Sequence, residues 1–558
     1  MGRIDDLANR YVDQWAALNP LGATYVGIAG HDHRLDDLSV EGFAAQAELT
    51  RATLAEVAQV EPGDERERVA KEAMVERLTL GLALYDAGEA TSELNVIASP
   101  LHSVRRVFDL MPTEGEEAVA NISARLGGVP AALEDLKRTL AEAADAGHVS
   151  ARQQILEVAK QCDVWTDPGG DDFFHGLTTR LDTGGDEALR SDLERRAAAA
   201  TAATAGFARF LRDELAPRGR AKQAAGRERY ALASQYFLGA EIDVDETYAW
   251  GFAELARLEA EMRDVAAAIV GPGATVDEAV AALDADPARQ IFGKEAFRDW
   301  MQALADKAMA DLHGTHFDIP EQVRRIECCL APISDGGIYY TGPSEDFARP
   351  GRMWWSVPQG VTEFSTWREV TTVYHEGVPG HHLQVAQTQV RANLLNRWQR
   401  LLSWSSGHGE GWALYSERLM DELGYLEDPG DKLGMLDGQA FRAARVIVDI
   451  GMHLELPVPA DNPFGFHPGE TWTPQLGWEF MRAHCRTPDE TLRFELNRYL
   501  GWPGQAPSYK VGERIWLAAR DEAKNRKGAD FDLKSFHRDA LNLGSVGLDV
   551  LQASIARL

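Results

Sequence analysis

The chain has 558 residues, with 57 Lys and Arg against 87 Asp and Glu, for a formal net charge of −30. A surface this acidic repels a phosphate backbone and an anionic membrane face, so neither nucleic acid nor membrane is expected as a partner. With 45% hydrophobic and 26% charged residues, the composition is that of an ordinary globular protein with material for a large core.

In chain order, the first segment, Met1–Pro20, carries acids near its start and lacks the apolar run of a signal peptide. No uninterrupted apolar stretch reaches the roughly 18 residues of a membrane span, so a cytoplasmic location is expected. Ile4 to Leu18 places Leu7, Tyr11, Trp15 and Leu18 three and four apart, one apolar stripe of a helix. Ala131 to Ala146 and Leu189 to Leu211 repeat that period with charges opposite. Cys162, Cys328, Cys329 and Cys485 form no C-x-x-C pair and read as reduced, buried thiols.

The helix-breaking stretch Arg218–Arg229 is the weak point of the first half. It suggests an N-terminal helical lobe, 1–230, and a catalytic helical lobe, 231–558, in one continuous body. Strand signals gather between Ile333 and Val361, where Ile338-Tyr339-Tyr340 and Met353–Val357 flank a Pro/Gly-rich loop. Helices resume near Trp367 and run to the end, apart from a loop-rich break at Pro457–Thr473. The fold class expected is mostly α with a small β element.

The chemistry concentrates at Val373-Tyr-His375-Glu376-Gly-Val-Pro379-Gly380-His381-His382-Leu-Gln384. His-Glu opens the zinc-protease signature, in which a second histidine four residues on completes a ligand pair. Here that position is Pro379, so the standard signature fails. On a straight helix His381 would sit about 240° round from His375, and His382 would share its face but lie about 10 Å along. Either needs the helix deformed. Pro379 supplies the deformation, because its ring clashes with the carbonyl four residues back, and Gly380 tolerates unusual backbone angles. His381 is favoured over His382 as second ligand, the other serving as a supporting hydrogen-bond donor or facing substrate.

Glu376 then reads as general base toward an activated water. Zinc needs a third protein ligand and an open position. The next acid-rich helix, His408-Gly-Glu410-Gly-Trp-Ala-Leu-Tyr-Ser-Glu417, offers Glu410 as that ligand. Glu417, seven residues on and on the same face, reads as the group that orients a ligating histidine.

These motifs, with Asn19-Pro-x-x-Ala-Thr24, Arg442-Ala-Ala-Arg445, Asp449-Ile-Gly-Met-His453, Pro503-Gly-Gln-Ala-Pro-Ser-Tyr509-Lys510 and the C-terminal Phe536-His537 and Leu543-Gly-Ser545, resemble the bacterial domain-of-unknown-function 885 family almost end to end. That family is similar to helical gluzincin metallopeptidases such as carboxypeptidase Taq. The resemblance implies a large helical zincin-like body with a deep groove and a small β element near the active site. It also implies one Zn2+ per chain and metal-dependent hydrolysis of peptides or related amides.

Within that frame Tyr509 is the expected oxyanion donor, with Lys510 offering a nearby charge. Arg442, Arg445 and His453 share one broad helix face suited to a substrate carboxylate. The β segment, through Tyr339, Tyr340 and Ser344, could present an edge to an extended peptide. The leading expectation is a zinc-dependent peptidase on short peptides, carboxypeptidase- or oligopeptidase-like, with a homodimer left open. The alternatives are a metal-dependent amidohydrolase on amino-acid conjugates and a non-catalytic binding protein with a retained metal site.

Overall fold

The computed structural model describes residues 2–558 apart from 168, 170, 171, 332–336 and 359. It is mostly helical, as the periodicity predicts. Two compact units emerge: Met1–Glu61, Leu78–Ala224 and Asn497–Trp502 form one, and Pro62–Arg77, Ala225–Leu496 and Pro503–Leu558 form the other. Among the described residues, no helix is long and apolar enough to cross a membrane. All four cysteines are free thiols, three buried and Cys329 half-buried.

In the first unit, α1 (Arg3–Leu18) buries Ile4, Leu7, Ala8, Tyr11 and Val12 along the stripe read from the sequence. The long helices α2 (Glu116–Asp145) and α3 (Glu187–Phe210) extend the two Ala-rich segments. They share a core in which Ile122, Leu126, Leu133, Leu193, Ala197 and Ala200 are almost wholly buried. Small residues on α3 keep the helix axes close without leaving voids.

The second unit carries the histidine cluster. Its helices include α4 (Val244–Ile269), capped by Asp243, whose carboxylate accepts from the amides of Asp245 and Glu246. Next comes α5 (Lys294–Leu312), then α6 (Thr366–Glu376) and α7 (His381–Val390), followed by α8 (Ser406–Glu422). After them come α9 (Pro429–Leu454) and α10 (Ser508–Lys527). Helix α9 is buried at every position from Ala443 to His453, including the polar residues Arg445, Asp449 and His453. The loop between α9 and the helix Pro474–His484 falls where the Pro457–Thr473 break predicts.

Among the described residues, five short strands accompany the helices: β1 (Gln290–Phe292), β2 (Ile326–Leu330), β3 (Ile338–Thr341), β4 (Gly351–Trp355) and β5 (Glu363–Ser365). β3 and β4 lie in the window expected to be β, although the start of that window at Ile333 falls outside the described residues. Strand order is β2-β4-β3, with β2 parallel to β4 (Ile326 opposite Gly351) and β3 antiparallel to it (Ile338 opposite Trp355). β1 and β5 form a separate antiparallel pair, Gln290 opposite Ser365.

This sheet matters for the site because of what lies on it. Phe297, Met301 and Ala305 of α5 pack with Ile326, Cys328, Met353 and Trp355 of the sheet and with Val373 of α6. Val373 is two residues before His375. The helix that carries the first histidine is thereby seated on the sheet by hydrophobic burial.

Candidate metal centre

Helix α6 stops at Glu376 and α7 begins at His381, so the four residues from Gly377 to Gly380 interrupt one helical path. The Val378–Pro379 peptide is cis. Pro379 offers no amide hydrogen, but the chain closes across the break: Gly380 N donates to Tyr374 O at 3.1 Å and His382 N to Gly377 O at 3.0 Å. Trp412 on α8 donates its indole N–H to Pro379 O at 2.9 Å and holds the turn from outside.

The break does what the spacing required. His381, which would face away on a straight helix, lies with its ring 4.9 Å from that of His375, the two planes at 90°. Glycine at 380 is obligatory, because a Cβ there would fall 1.9 Å from the carbonyl oxygen of His375. Gly380→Ala is expected to cost about 1–3 kcal/mol of stability through overpacking and to lower metal content. Thermal melts and metal analysis of the variant check both.

Donor atoms converge from three helices, α6, α7 and α8. Glu410 Oε2 on α8 lies 3.4 Å from His375 Nε2 and 3.4 Å from His381 Nε2. One donor atom each from His375, Glu376 and His381 lies within 4.8 Å of the others, and all three residues are buried. A tetrahedral zinc with ligands at about 2.1 Å sets its donor atoms about 3.4 Å apart. The His–Glu separations match that edge, so these residues fit the metal. Glu376 Oε2 is buried without a hydrogen-bond partner, and so is His381 Nδ1.

The surroundings fix the ligand orientation. His375 Nδ1 donates to Glu417 Oε1 at 2.7 Å, and Glu417 Oε2 accepts the Thr371 hydroxyl at 2.7 Å. That leaves Nε2 of His375 free to point at the shared donor cluster. The charges are equally directed. Burial pushes the His375 imidazole down, but the carboxylates of Glu410 and Glu417 overcome it and lift the group to about 9. Burial raises Glu376, and the nearby Glu410 carboxylate adds to that, against the pull of His381, His375 and Arg442. Burial also opposes ionisation of Glu410, yet His381 and His375 hold it well below the usual carboxylate range. Two buried carboxylates, Glu376 and Glu417, and the half-buried Glu410 around two imidazoles form a site that a cation would stabilise.

His382 faces elsewhere. Its Nε2 donates to the Val323 carbonyl at 2.6 Å, and its Nδ1 accepts the Tyr340 hydroxyl at 2.9 Å. Burial holds this histidine neutral, near 4, with the Val323 carbonyl opposing only in part. Of the two candidates for second ligand, His381 is the one beside His375.

The whole chain can now be set against known proteins. The model of a bacterial protein family of unknown function, DUF885, matches residues 20–555. The chain belongs to this family. Among solved structures, this DUF885 protein is similar to the "putative lipoprotein" of Colwellia psychrerythraea, at TM-score 0.85 and 23% identity over 100% of this chain and 98% of the other. It is also similar to a second "putative lipoprotein", of unknown function, from Shewanella oneidensis, at TM-score 0.72 and 18% identity with both chains fully covered. No curated protein matches. At these identities the structural likeness speaks for the fold alone.

The remaining residues singled out in the sequence of this DUF885 chain separate into two groups. Arg442 stays with the cluster: its charge acts on both Glu376 and Glu417. Its Nη1 donates to the Gly438 carbonyl at 3.2 Å, and its Nε is buried without a partner. Arg445 is committed to Glu495 at 2.9 Å, and its guanidinium lies 4.7 Å from the ring centre of Tyr509. Tyr509 is half-buried and held in that stack.

Lys510 and His453 are held by partners inside the protein. The Lys510 ammonium is buried against Gln439 at 2.5 Å, Glu254 at 3.0 Å and the Glu513 carboxylate, so it offers no free charge to a substrate. His453 Nδ1 accepts from Ala225 N at 3.2 Å, and its Nε2 lies 3.7 Å from Asp449. Asp449 in turn accepts the Tyr230 hydroxyl at 2.8 Å and Gly504 N at 3.0 Å.

Sequence reasoning missed Thr371 and Trp412. Thr371 sits four residues before His375 on the same helix face, a spacing that could have revealed it as a partner of Glu417. Trp412 lies inside the quoted Glu-Gly-Trp motif, but nothing in sequence tells that its N–H reaches a carbonyl 33 residues away.

Proposed function

We propose that this protein is a zinc-dependent metallopeptidase of gluzincin type that hydrolyses short peptides. One observation carries the reading: two imidazole Nε2 atoms and Glu410 share a 3.4 Å donor spacing, beside a glutamate whose Oε2 is buried without a partner. His375, His381 and Glu410 would hold the metal. When bound, zinc supplies Lewis-acid polarisation and lowers the pKa of water toward about 7.

The chain's own residues do the rest. Glu376 Oε2 takes the proton of the attacking water and returns it to the leaving amine, since a carboxylate lifted by burial both accepts and releases a proton readily. Glu417 and Thr371 keep the His375 ring in one orientation through the cycle. Arg442, a cation near the base that pairs with no carboxylate among the described residues, is the candidate for a substrate carboxylate.

Arg442→Ala is expected to raise KM about ten- to a hundredfold for free-acid peptides, the worth of a hydrogen bond to a charged group. Amidated peptides should be cleaved as before, and steady-state kinetics on matched pairs checks this. An amino-acid conjugate carries the same carboxylate, so a metal-dependent amidohydrolase remains the second reading.

A peptide-library digest read by mass spectrometry, with and without chelator, tests the proposal directly. Cleavage that vanishes on chelation and returns with zinc is the expected result. Absence of cleavage after zinc repletion, with about one zinc bound per chain, would remove the peptidase reading and leave the conjugate one.

A further inference from the structure

Trp404 is one of the few large apolar side chains that the fold leaves in solvent, 44% exposed. Its position beside the candidate metal centre gives that exposure a use. It immediately precedes the first turn of α8, the helix that carries Glu410. Its ring lies 6.3 Å from the ring of His381, tilted by 49°. It also rests flat on Gly409, where a Cβ would come within 2.2 Å of the indole Cη2 atom. The glycine next to Glu410 is therefore a seat for this ring.

The backbone that carries the ring is also anchored. The Ser405 hydroxyl donates to the Leu238 carbonyl at 3.0 Å, and the Trp404 carbonyl accepts from Arg77 at 3.5 Å. An aromatic face beside His381 and seated on Gly409, the residue before Glu410, half wet and unclaimed by the core, is the kind of surface on which a ligand side chain gains most.

We infer that Trp404 is a specificity-determining residue: its exposed indole face takes a bulky apolar or aromatic side chain of a peptide substrate, next to the bond being cut. The inference rests on the peptidase reading above and adds the substrate class that this site selects. Gly409 is part of the same device, since any larger residue there would lift the indole from its seat.

The test uses the full-length, zinc-loaded Glu376→Gln protein, which should bind peptides without consuming them. Binding of Ala-Ala-Ala, Phe-Ala-Ala, Ala-Phe-Ala and Ala-Ala-Phe is measured by calorimetry. At least one phenylalanine peptide should bind tenfold or more tighter than the alanine peptide. In Trp404→Ala that preference should fall below threefold at unchanged zinc content, and Trp404→Phe should keep most of it. Trp404→Leu, which retains apolar bulk, should lie between and serves if the alanine variant does not fold.

A phenylalanine preference that stays at tenfold or more in Trp404→Ala, or that is undiminished in Trp404→Leu, in zinc-loaded protein overturns the inference while leaving the peptidase reading intact. Equal binding of all four peptides does the same. If none of the four binds, the peptide reading itself falls and takes the inference with it.

Discussion

Glu376→Gln is expected to keep about one zinc per chain and lose 10²–10⁴-fold in kcat, the range that a positioned general base contributes. The expectation follows from placement. Glu376 is the last residue of α6, adjacent to His375, and one of its oxygens is buried with no partner to satisfy. A glutamine fills the same volume and keeps the helix end, but it cannot accept a proton. Glu376 is also not one of the donors at 3.4 Å spacing, so metal content should not follow activity down. Metal analysis beside single-turnover kinetics separates the two. Full activity in the variant would remove Glu376 as the base.

Zinc affinity should fall in a fixed order across three alanine variants. His381→Ala removes a donor and should cost the most, well beyond the effect of any supporting residue. Glu417→Ala leaves every donor in place but frees the His375 ring, and loss of such an outer hydrogen bond costs about 10–100-fold in metal affinity. His382→Ala should change affinity least, because its two ring nitrogens are occupied by Val323 and Tyr340. Competition titrations with a chromophoric chelator read all three. An order with His382→Ala worst would show that the two adjacent histidines had been assigned the wrong way round.

Much of the fold was legible because helices announce themselves locally. The apolar stripe of α1 and the Ala-rich periods of α2 and α3 each report one element from its own residues. The strands were legible only in part. β3 and β4 carry aromatic residues between turn signals, whereas β2 is five residues long and earns its state from parallel pairing with β4, which no local pattern encodes. β1 and β5 are three-residue strands of the same kind.

The approach of His381 to His375 was legible for a different reason. Pro379 and Gly380 are so unfavourable in a helix that their presence between histidines asks for an explanation, and the geometry of a helical turn supplies it. Lys510 and His453 show the limit of such reasoning. Spacing along a helix tells which residues share a face, but not what covers that face. Lys510 meets Glu254 from 256 positions earlier in the chain, and His453 meets the backbone at Ala225. Charge and face were read correctly, and the partners were elsewhere.

The clamp from Trp412 to Pro379 has a mechanical consequence. Helix α8 supplies Glu410 and, through that indole, also grips the turn from which His381 springs. Two of the three candidate donors, Glu410 and His381, are therefore tied to each other through α8. The third, His375, is anchored to the sheet through Val373, and its tie to α8 runs through Glu417. The site thus behaves as a two-jawed vice. One jaw is α8 with Glu410, the other is the sheet-seated helix α6 with His375, and the Glu417–His375 hydrogen bond ties the two together.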